Sequence, residues 1–338
     1  MKNILPSRSW IDLQEHYISA IKNPWYSAVL DIQDVISVST MTFFRERQIK
    51  AVHFPITTSS VSSPMGRGSD SKPVKIKLFG VETYLADSMQ FLLEYGCRFV
   101  KNGCYYIMPS FRGEQEDETH LSQFYHSEAE IIGSINDVIR LVEDYLRYLC
   151  ISILANHRST LESITGDVSH IEKLVKIYDP LPQITFDEAI KLLNYDQQYI
   201  DIIEPGLKVL NRRGEQALID RFGGFVWLTE FVHETVPFYQ AFTDSQRKSK
   251  SADLLFGLGE VVGAGERHKT SDEVFRALEL HQVDRQPYEW YCRIKEEFPM
   301  QTSGFGLGTE RFICWLLNHS DVRDCQIIPR FNGKLPLP

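Results

Sequence analysis

Apolar and polar positions alternate in several short stretches of this chain and recur at helical spacing in others. The segments VKIKLFG, TYLAD, RFVKNGCYYIMPSF and FYHSEAEIIGS carry period two and predict antiparallel strands separated by polar breaks. INDVIRLVEDYLRYLCISILA repeats its apolar positions at helical spacing, which predicts an amphipathic helix lying on that sheet. Upstream, DVISVSTMTFFRERQIKAVHFPI predicts a long helix closing into an extended segment at Pro55, because the residue before a proline is pushed out of helical space. Residues 57–73, TTSSVSSPMGRGSDSKP, predict a mobile loop, and residues 1–30 a helical lead-in. From about 165 to 225 the pattern predicts short helices with Pro and Gly breaks, a helical insertion. GGFVWLTEF, DLLFGLGEVVG and the glycine-bearing GFGLGTERFICWLL then return to strand chemistry, the last running into a buried helix. This order departs from strict βαβ alternation and predicts an α+β fold around an antiparallel sheet.

Composition narrows the class. The 338 residues suffice for a core without staples, and no run approaches the roughly 18 apolar residues of a membrane span. The N-terminus lacks the apolar centre of a signal peptide, and six scattered cysteines form no CxxC pair; both predict reduced, structural thiols in the cytoplasm. Lys+Arg total 36 against 45 Asp+Glu, a net charge of −9, which argues against a polyanion binder.

Three constellations carry candidate chemistry. In GFGLGTER, Gly304, Gly306 and Gly308 permit close approach of a ligand, and Arg311 falls in the first helical turn, where free N–H groups and a guanidinium suit an anion. In PSFRGEQEDETHLSQFYHSEAEI, Arg112 and Glu114 lie two apart, hence on one face of a strand, with Phe124 and Glu128 on the next. Arginine grips phosphate, a carboxylate accepts from an adenine amino group, and Phe124 offers a stacking surface; the same pattern also suits a hairpin with a surface salt bridge. In SADLLFGLGEVVGAGER, Asp253 and Glu260 are hard oxygen ligands suited to Mg²⁺ beside a triphosphate, with Arg267 a deep cation beyond them. A glycine-bent strand with solvated charges is the alternative.

In order and spacing these segments resemble class II aminoacyl-tRNA synthetases of the aspartate/asparagine branch, from about residue 30 to 338. The long helix with Pro55, FRGEQEDETHLSQF and GFGLGTER resemble the three family motifs, and DSMQ, ITFDEAIKLL, VPFYQAF and DLLFGLGEVVGAGER resemble branch-specific elements. The resemblance implies a synthetase-type catalytic domain over 31–338, an antiparallel sheet flanked by helices, ATP and Mg²⁺ as cofactors, and a homodimer formed through the first motif. Arg112 is implied at the α-phosphate and the substrate carboxylate, and Glu114 at the adenine, with Phe124 below the ring and Arg311 above it toward the γ-phosphate beside Gly308. Asp253 and Glu260 are implied at Mg²⁺, Ser88 and Gln90 in the amino-acid pocket, and Arg267 and Glu128 at the substrate side chain. Arg112, Arg311 and Glu260 would then carry catalysis of acyl-adenylate formation, with release of pyrophosphate.

Several positions depart from the family pattern. Only some 30 residues precede the first motif, where the family carries an anticodon-binding barrel. The second-motif loop reads QEDET, with three acids and no base, where the family is rich in arginine. Met65 stands where a family glutamate helps hold the substrate α-ammonium, Ala241 replaces the arginine of the asparagine branch, and Leu93 replaces the lysine of aspartate enzymes. These departures point to a ligase that activates asparagine, aspartate or a close analogue and passes the acyl group to ammonia, a small amine or a carrier, without tRNA, DNA or membrane partners. A shortened asparaginyl-tRNA synthetase, or a non-catalytic paralogue that binds amino acid or ATP, are the alternatives.

Overall fold

Side chains of the hairpin at 103–111 and 123–132 point alternately to an apolar face, with Tyr105, Ala129 and Ile131, and to a polar one, with Tyr106, Glu128 and Glu130, and the rest of the sheet is built on that division. The structure, a computed structural model, describes residues 4–62, 67, 69, 71–245 and 247–334. Its strands in chain order are β1 (Lys50–Ala51), β2 (Thr57–Thr58), β3 (Val74–Leu78), β4 (Val81–Leu85), β5 (Gly103–Phe111), β6 (Gln123–Ile132) and β7 (Gln183–Thr185). They continue with β8 (Ile200–Glu204), β9 (Leu207–Leu210), β10 (Val226–Thr229), β11 (Ser251–Phe256), β12 (Gly259–Glu266) and β13 (Thr302–Gly308). Eight of them form one sheet in the order β1-β5-β6-β13-β12-β11-β10-β7. The six central strands are antiparallel, as their alternation predicts; the edge pairs β1–β5 and β7–β10 are parallel, a detail short strands do not announce.

The apolar face packs on two long helices, α2 (Pro24–Glu46) and α4 (Ile135–Thr165), which follow α1 (Leu13–Ile21) and α3 (Gln90–Gly96) in this numbering. Asn23 and a capping box of Ser134 with Asp137 fix their starts by satisfying free N–H groups. Ala129, Ile131, Leu254, Val262, Ala264, Phe305 and Leu307 share one core with Phe43, Phe44, Val142 and Leu146. Tyr145 anchors the layers: its hydroxyl meets Thr40 Oγ1 of α2 at 2.6 Å and Ser127 Oγ of β6 at 2.9 Å. Tyr105 stacks on Phe44 at 4.4 Å, whereas its neighbour Tyr106 points to the opposite, polar face.

The lead-in belongs to this core, since Trp10 and Trp25 are buried in it, and the long helix begins at Pro24 rather than at Asp34. The segment from 165 to 225 is not purely helical. It carries α5 (Ser169–Lys176), α6 (Phe186–Leu192) and α7 (Arg212–Arg221), but also edge strand β7 and the β8–β9 hairpin. Phe186, Ile190, Leu218 and Leu228 give it a second core against the sheet edge. DLLFGLGEVVG is likewise two strands turning at Gly257, which has φ of +59°. Among the described residues no helix is long and apolar enough to cross a membrane, and all six cysteines are free and buried.

Beyond the sheet, α8 (Ser271–His281), α9 (Glu289–Glu297) and α10 (Thr309–Leu316) close the molecule. Lys295 of α9 is fully buried and donates to Glu94 of α3 and to the His268 carbonyl at 2.6 Å; Tyr291 also donates to Glu94, at 2.7 Å. Removing one member of such a pair strands the other charge in a low dielectric. Lys295→Met is expected to lower stability in urea unfolding by about 3–5 kcal/mol, and the double variant with Glu94→Met to recover most of the loss.

Candidate active site

The polar face of the sheet is a lattice set by register. Gly263 of β12 pairs with Gly306 of β13, which pairs with Glu128 of β6; one step along, Gly265 pairs with Gly304 and Gly304 with Glu130. These positions share a face because they lie two apart on each strand. The missing side chains are essential at two of them. A Cβ on Gly265 would stand 1.8 Å from Gln240 Oε1, and one on Gly304 1.8 Å from Glu130 Oε2. Gln240 and Glu130 therefore lie flat on bare backbone and converge on Arg267.

Arg267, only 5% exposed, donates through Nε and Nη2 to Glu130 at 3.1–3.2 Å and through Nη1 to Gln240 Oε1 at 2.9 Å. Burial opposes its charge, but Glu130 and then Glu94 more than offset that and hold the guanidinium ionised. Glu128 accepts from Tyr106, from Ser88 Oγ at 2.7 Å and from His126 Nδ1 at 3.1 Å. Burial pushes its carboxyl up; the bonds from His126, Tyr106 and Ser88 win and hold it below the usual range. Ser88, Gln90, Leu93, Glu128, Glu130, Gln240 and Arg267 line a cavity of about 340 Å³. Gln90 Nε2 is buried there without a partner among the described residues.

A second cavity, about 260 Å³, adjoins it and is lined by Arg112, Glu114, Phe124, Glu260, Gly308 and Arg311. Arg112 and Glu114 fall just past the end of β5 rather than within it, and Arg112 Cζ sits 5.4 Å from the Phe124 ring centroid. Glu114 Oε2 accepts from the Lys72 amide at 3.0 Å, while Oε1 has no hydrogen-bond partner among the described residues and lies 4.0 Å from Arg112 Nη1. Arg311, in the first turn of α10, donates to the carbonyls of Glu260 at 2.6 Å and Thr119 at 3.3 Å. The two cavities share Arg112, His126, Glu260 and Gly306.

Asp253 and Glu260 meet over Gly263, their oxygens 3.7 and 3.0 Å from where its Cβ would be. Simple alternation would place Glu260 on the other face. The register shifts between Leu254 and Leu255 so that Val261 is the extra residue of a bulge, and this turns Glu260 back. Burial, then Glu260 and Glu215, push the Asp253 carboxyl up, and burial with Glu260 pushes Glu215 of α7 up to about 7. Among the described residues no three His, Cys, Asp or Glu side chains form a metal cage. Two converging carboxylates with room beside them nevertheless fit Mg²⁺, which keeps waters and takes phosphate oxygens as its remaining ligands.

All eleven residues singled out from the sequence thus line these two adjoining cavities. Four others were missed. Glu130 stands two beyond Glu128, so period two could have found it; Asp87 and Gln240, which also line the larger cavity, lie in the DSMQ and VPFYQAF segments without having been singled out, and nothing in the sequence marks Glu215. Met65 lies outside the described residues. The RKSK run (247–250) lines neither cavity, with Lys248 on Asp187 at 2.5 Å and Lys250 on Glu266 at 2.8 Å.

The family model for tRNA synthetases class II (D, K and N) matches residues 9–332. Asparaginyl-tRNA synthetase from Pyrococcus horikoshii complexed with asparaginyl-adenylate superposes with a TM-score of 0.84 at 24% identity, over 94% of this chain and 71% of that one. The Entamoeba histolytica asparaginyl-tRNA synthetase in complex with asparaginyl-adenylate gives 0.82 at 22%, over 96% and 72%. A putative aspartyl-tRNA synthetase from Leishmania major Friedlin gives 0.75 at 20%, over 92% and 66%. At these identities the likeness is one of fold.

Gln240 is held in place by His233, whose Nε2 lies 2.7 Å from the Gln240 carbonyl and whose Nδ1 lies 2.9 Å from His281. Burial lowers the His233 pKa to about 4, so the ring is neutral in the fold. A depressed histidine contributes stability that is present above its unfolded value, about 6.5, and is lost as pH falls through the folded value. Stability is expected to drop by roughly 3 kcal/mol more in the wild type than in His233→Gln between pH 6.5 and 4, read from denaturant curves at each pH.

Proposed function

The chain belongs to the class II tRNA synthetases (D, K and N), a family of ATP-dependent ligases, and within it we propose that this protein adenylates asparagine or a close analogue and then transfers the acyl group to ammonia, a small amine or a carrier. The observation that carries the first step is the shared wall of the two cavities. Arg112 stands where a nucleotide on the Glu114–Phe124 side and an amino acid on the Ser88–Gln90 side would meet. A substrate carboxylate oxygen attacks the α-phosphorus there, the bond from that phosphorus to the β-bridging oxygen breaks, and pyrophosphate leaves with the electron pair. No proton moves and no side-chain nucleophile is needed. Arg112 holds both reactants, Arg311 faces the leaving end, and positioning with charge stabilisation supplies the rate. Mg²⁺ held by Asp253 and Glu260 would neutralise phosphate charge.

The side-chain end favours an amide over a carboxylate. Arg267 is already neutralised by Glu130, Leu93 is apolar, and Glu128 is ionised. A substrate carboxylate would meet an anion with no uncompensated cation beside it, whereas an amide offers N–H groups to Glu128 and a carbonyl to the remaining Arg267 donors.

For the acceptor, the acidic loop supports a small molecule: Thr119 and His120 line the nucleotide cavity while Asp117 and Glu118 stand exposed on its outer side, where a polynucleotide backbone would be repelled. The family supports tRNA as the second reading. A homodimer fits α2, which exposes Leu30, Val38 and Met41, half or more exposed, on a helix otherwise packed in the core.

Pyrophosphate exchange with asparagine and Mg²⁺–ATP is expected without RNA, to favour asparagine over aspartate, and to fall at least about a hundredfold in Arg112→Ala. Loss of either Asp253 or Glu260 is expected to abolish the Mg²⁺ dependence together with most of the activity. Near wild-type exchange in Arg112→Ala would show the site to be misassigned. Formation of hydroxamate or amide from added amines tests the acceptor; asparaginyl transfer to tRNA at physiological salt, with none to amines, replaces the small-acceptor reading by the tRNA one. Light scattering at micromolar concentration is expected to give a dimer, and a monomer contradicts the assignment of the α2 face.

A further inference from the structure

An α-amino acid seated with its carboxylate on Arg112 places a full positive charge, its ammonium, on the Ser88–Gln90 side of that arginine. A buried ammonium needs an anionic partner. Resemblance to the family would supply it from a loop glutamate, but that position is Met65 here. The cavity's other acids are largely committed. Glu130 is held by Arg267, Glu128 already accepts from three side chains, and Asp253 and Glu260 sit together on the phosphate side.

Asp87 remains. It occupies the turn between β4 and α3, directly before Ser88, and is 9% exposed. It lines the amino-acid cavity with Ser88, Gln90 and Arg112. Among the described residues its one hydrogen bond comes from Ser62 Oγ, at 2.5 Å to Oδ1, so Oδ2 keeps its acceptor capacity. Ser62 in turn belongs to the segment that leads into Met65, and its hydroxyl also reaches the Ser88 carbonyl at 3.3 Å. A short, fixed carboxylate thus stands beside the arginine that takes the substrate carboxylate, and a hydroxyl from the loop orients it. Burial pushes the Asp87 carboxyl up, opposed by Arg112 and Ser62, and an arriving ammonium would add to that opposition and favour the ionised form.

We propose that Asp87 is the counter-ion of the substrate's α-ammonium, a role moved from the position of Met65 to the turn before α3. This rests on the reading of the site as an amino-acid adenylation site, and it makes the enzyme selective for α-amino acids over the corresponding simple acids.

The test compares asparagine with succinamate, the same molecule with hydrogen in place of the ammonium. In Asp87→Asn, KM for asparagine in pyrophosphate exchange is expected to rise about 30-fold or more, as when one side of a buried charge pair is removed. KM for ATP and the inhibition constant of succinamate are expected to stay within about twofold. Ser62→Ala keeps the carboxylate but loosens it, and is expected to raise KM for asparagine by roughly tenfold, the worth of one hydrogen bond to a charged group, again without affecting succinamate. This second variant decides the matter if the first does not fold. Equal shifts for both ligands, or none for asparagine, overturn the inference and leave adenylation standing. Wild-type protein that exchanges with no α-amino acid overturns the adenylation reading itself, and the inference with it.

Discussion

The site exists because two adjacent strands are stripped of side chains where they cross its floor. Gly265 and Gly304 face each other in register, and at each a methyl group would collide with a polar atom of the site at 1.8 Å. That close approach lets Gln240 and Glu130 lie flat and meet Arg267 from two directions. It also frees the space above for a substrate. The opposite face of the same strands has the reverse character: Phe305, Leu307, Val262 and Ala264 carry the core that α2 and α4 cover. One pair of strands therefore holds the fold together on one side and gives way to ligand on the other, which period two alone makes possible.

Charge is distributed across that floor in compensated pairs, with the gaps placed where substrates would complete them. Arg267 is matched by Glu130, and Glu128 by three donors. Glu114 Oε1, Gln90 Nε2 and Arg112 Nε are buried without hydrogen-bond partners among the described residues, and all three belong to residues that line the cavities. Buried polar atoms left open are expensive in a protein interior, and a ligand in these cavities would satisfy the three of them. Asp87 and the pair Asp253 and Glu260 add carboxyl groups that no cation in the fold fully matches, the first beside the arginine that would take a carboxylate, the second beside the nucleotide cavity.

Much of this was legible in the sequence because long elements carry many votes. β6 and α4 span 10 and 31 residues, and their periods are unambiguous. Phe124 and Glu128 lie on β6 and Arg311 in the first turn of α10, as their segments predict. Three features were not legible, each for a physical reason. The strands β7, β8 and β9 are three to five residues long, too short for alternation to outvote the helical residues around them. The bulge at Val261 reverses the parity that spacing would assign to Glu260, and only the ladder register reveals it. Arg267 reads from sequence as a free cation for the substrate, whereas its neutralisation by Glu130 comes from a strand 137 residues away in the chain.

The central claim is that Arg112 joins a nucleotide site and an amino-acid site into one surface shaped for an acyl adenylate. Calorimetric titration with a non-hydrolysable sulfamoyl analogue of asparaginyl adenylate measures that most directly, against AMP and asparagine titrated separately. A ligand that spans both cavities turns the second contact into an intramolecular one, so the analogue is expected to bind about 10²–10⁴-fold more tightly than AMP, with the gain lost in Arg112→Ala. An analogue that binds no more tightly than AMP, or an Arg112→Ala protein that binds it as well as wild type, contradicts the account.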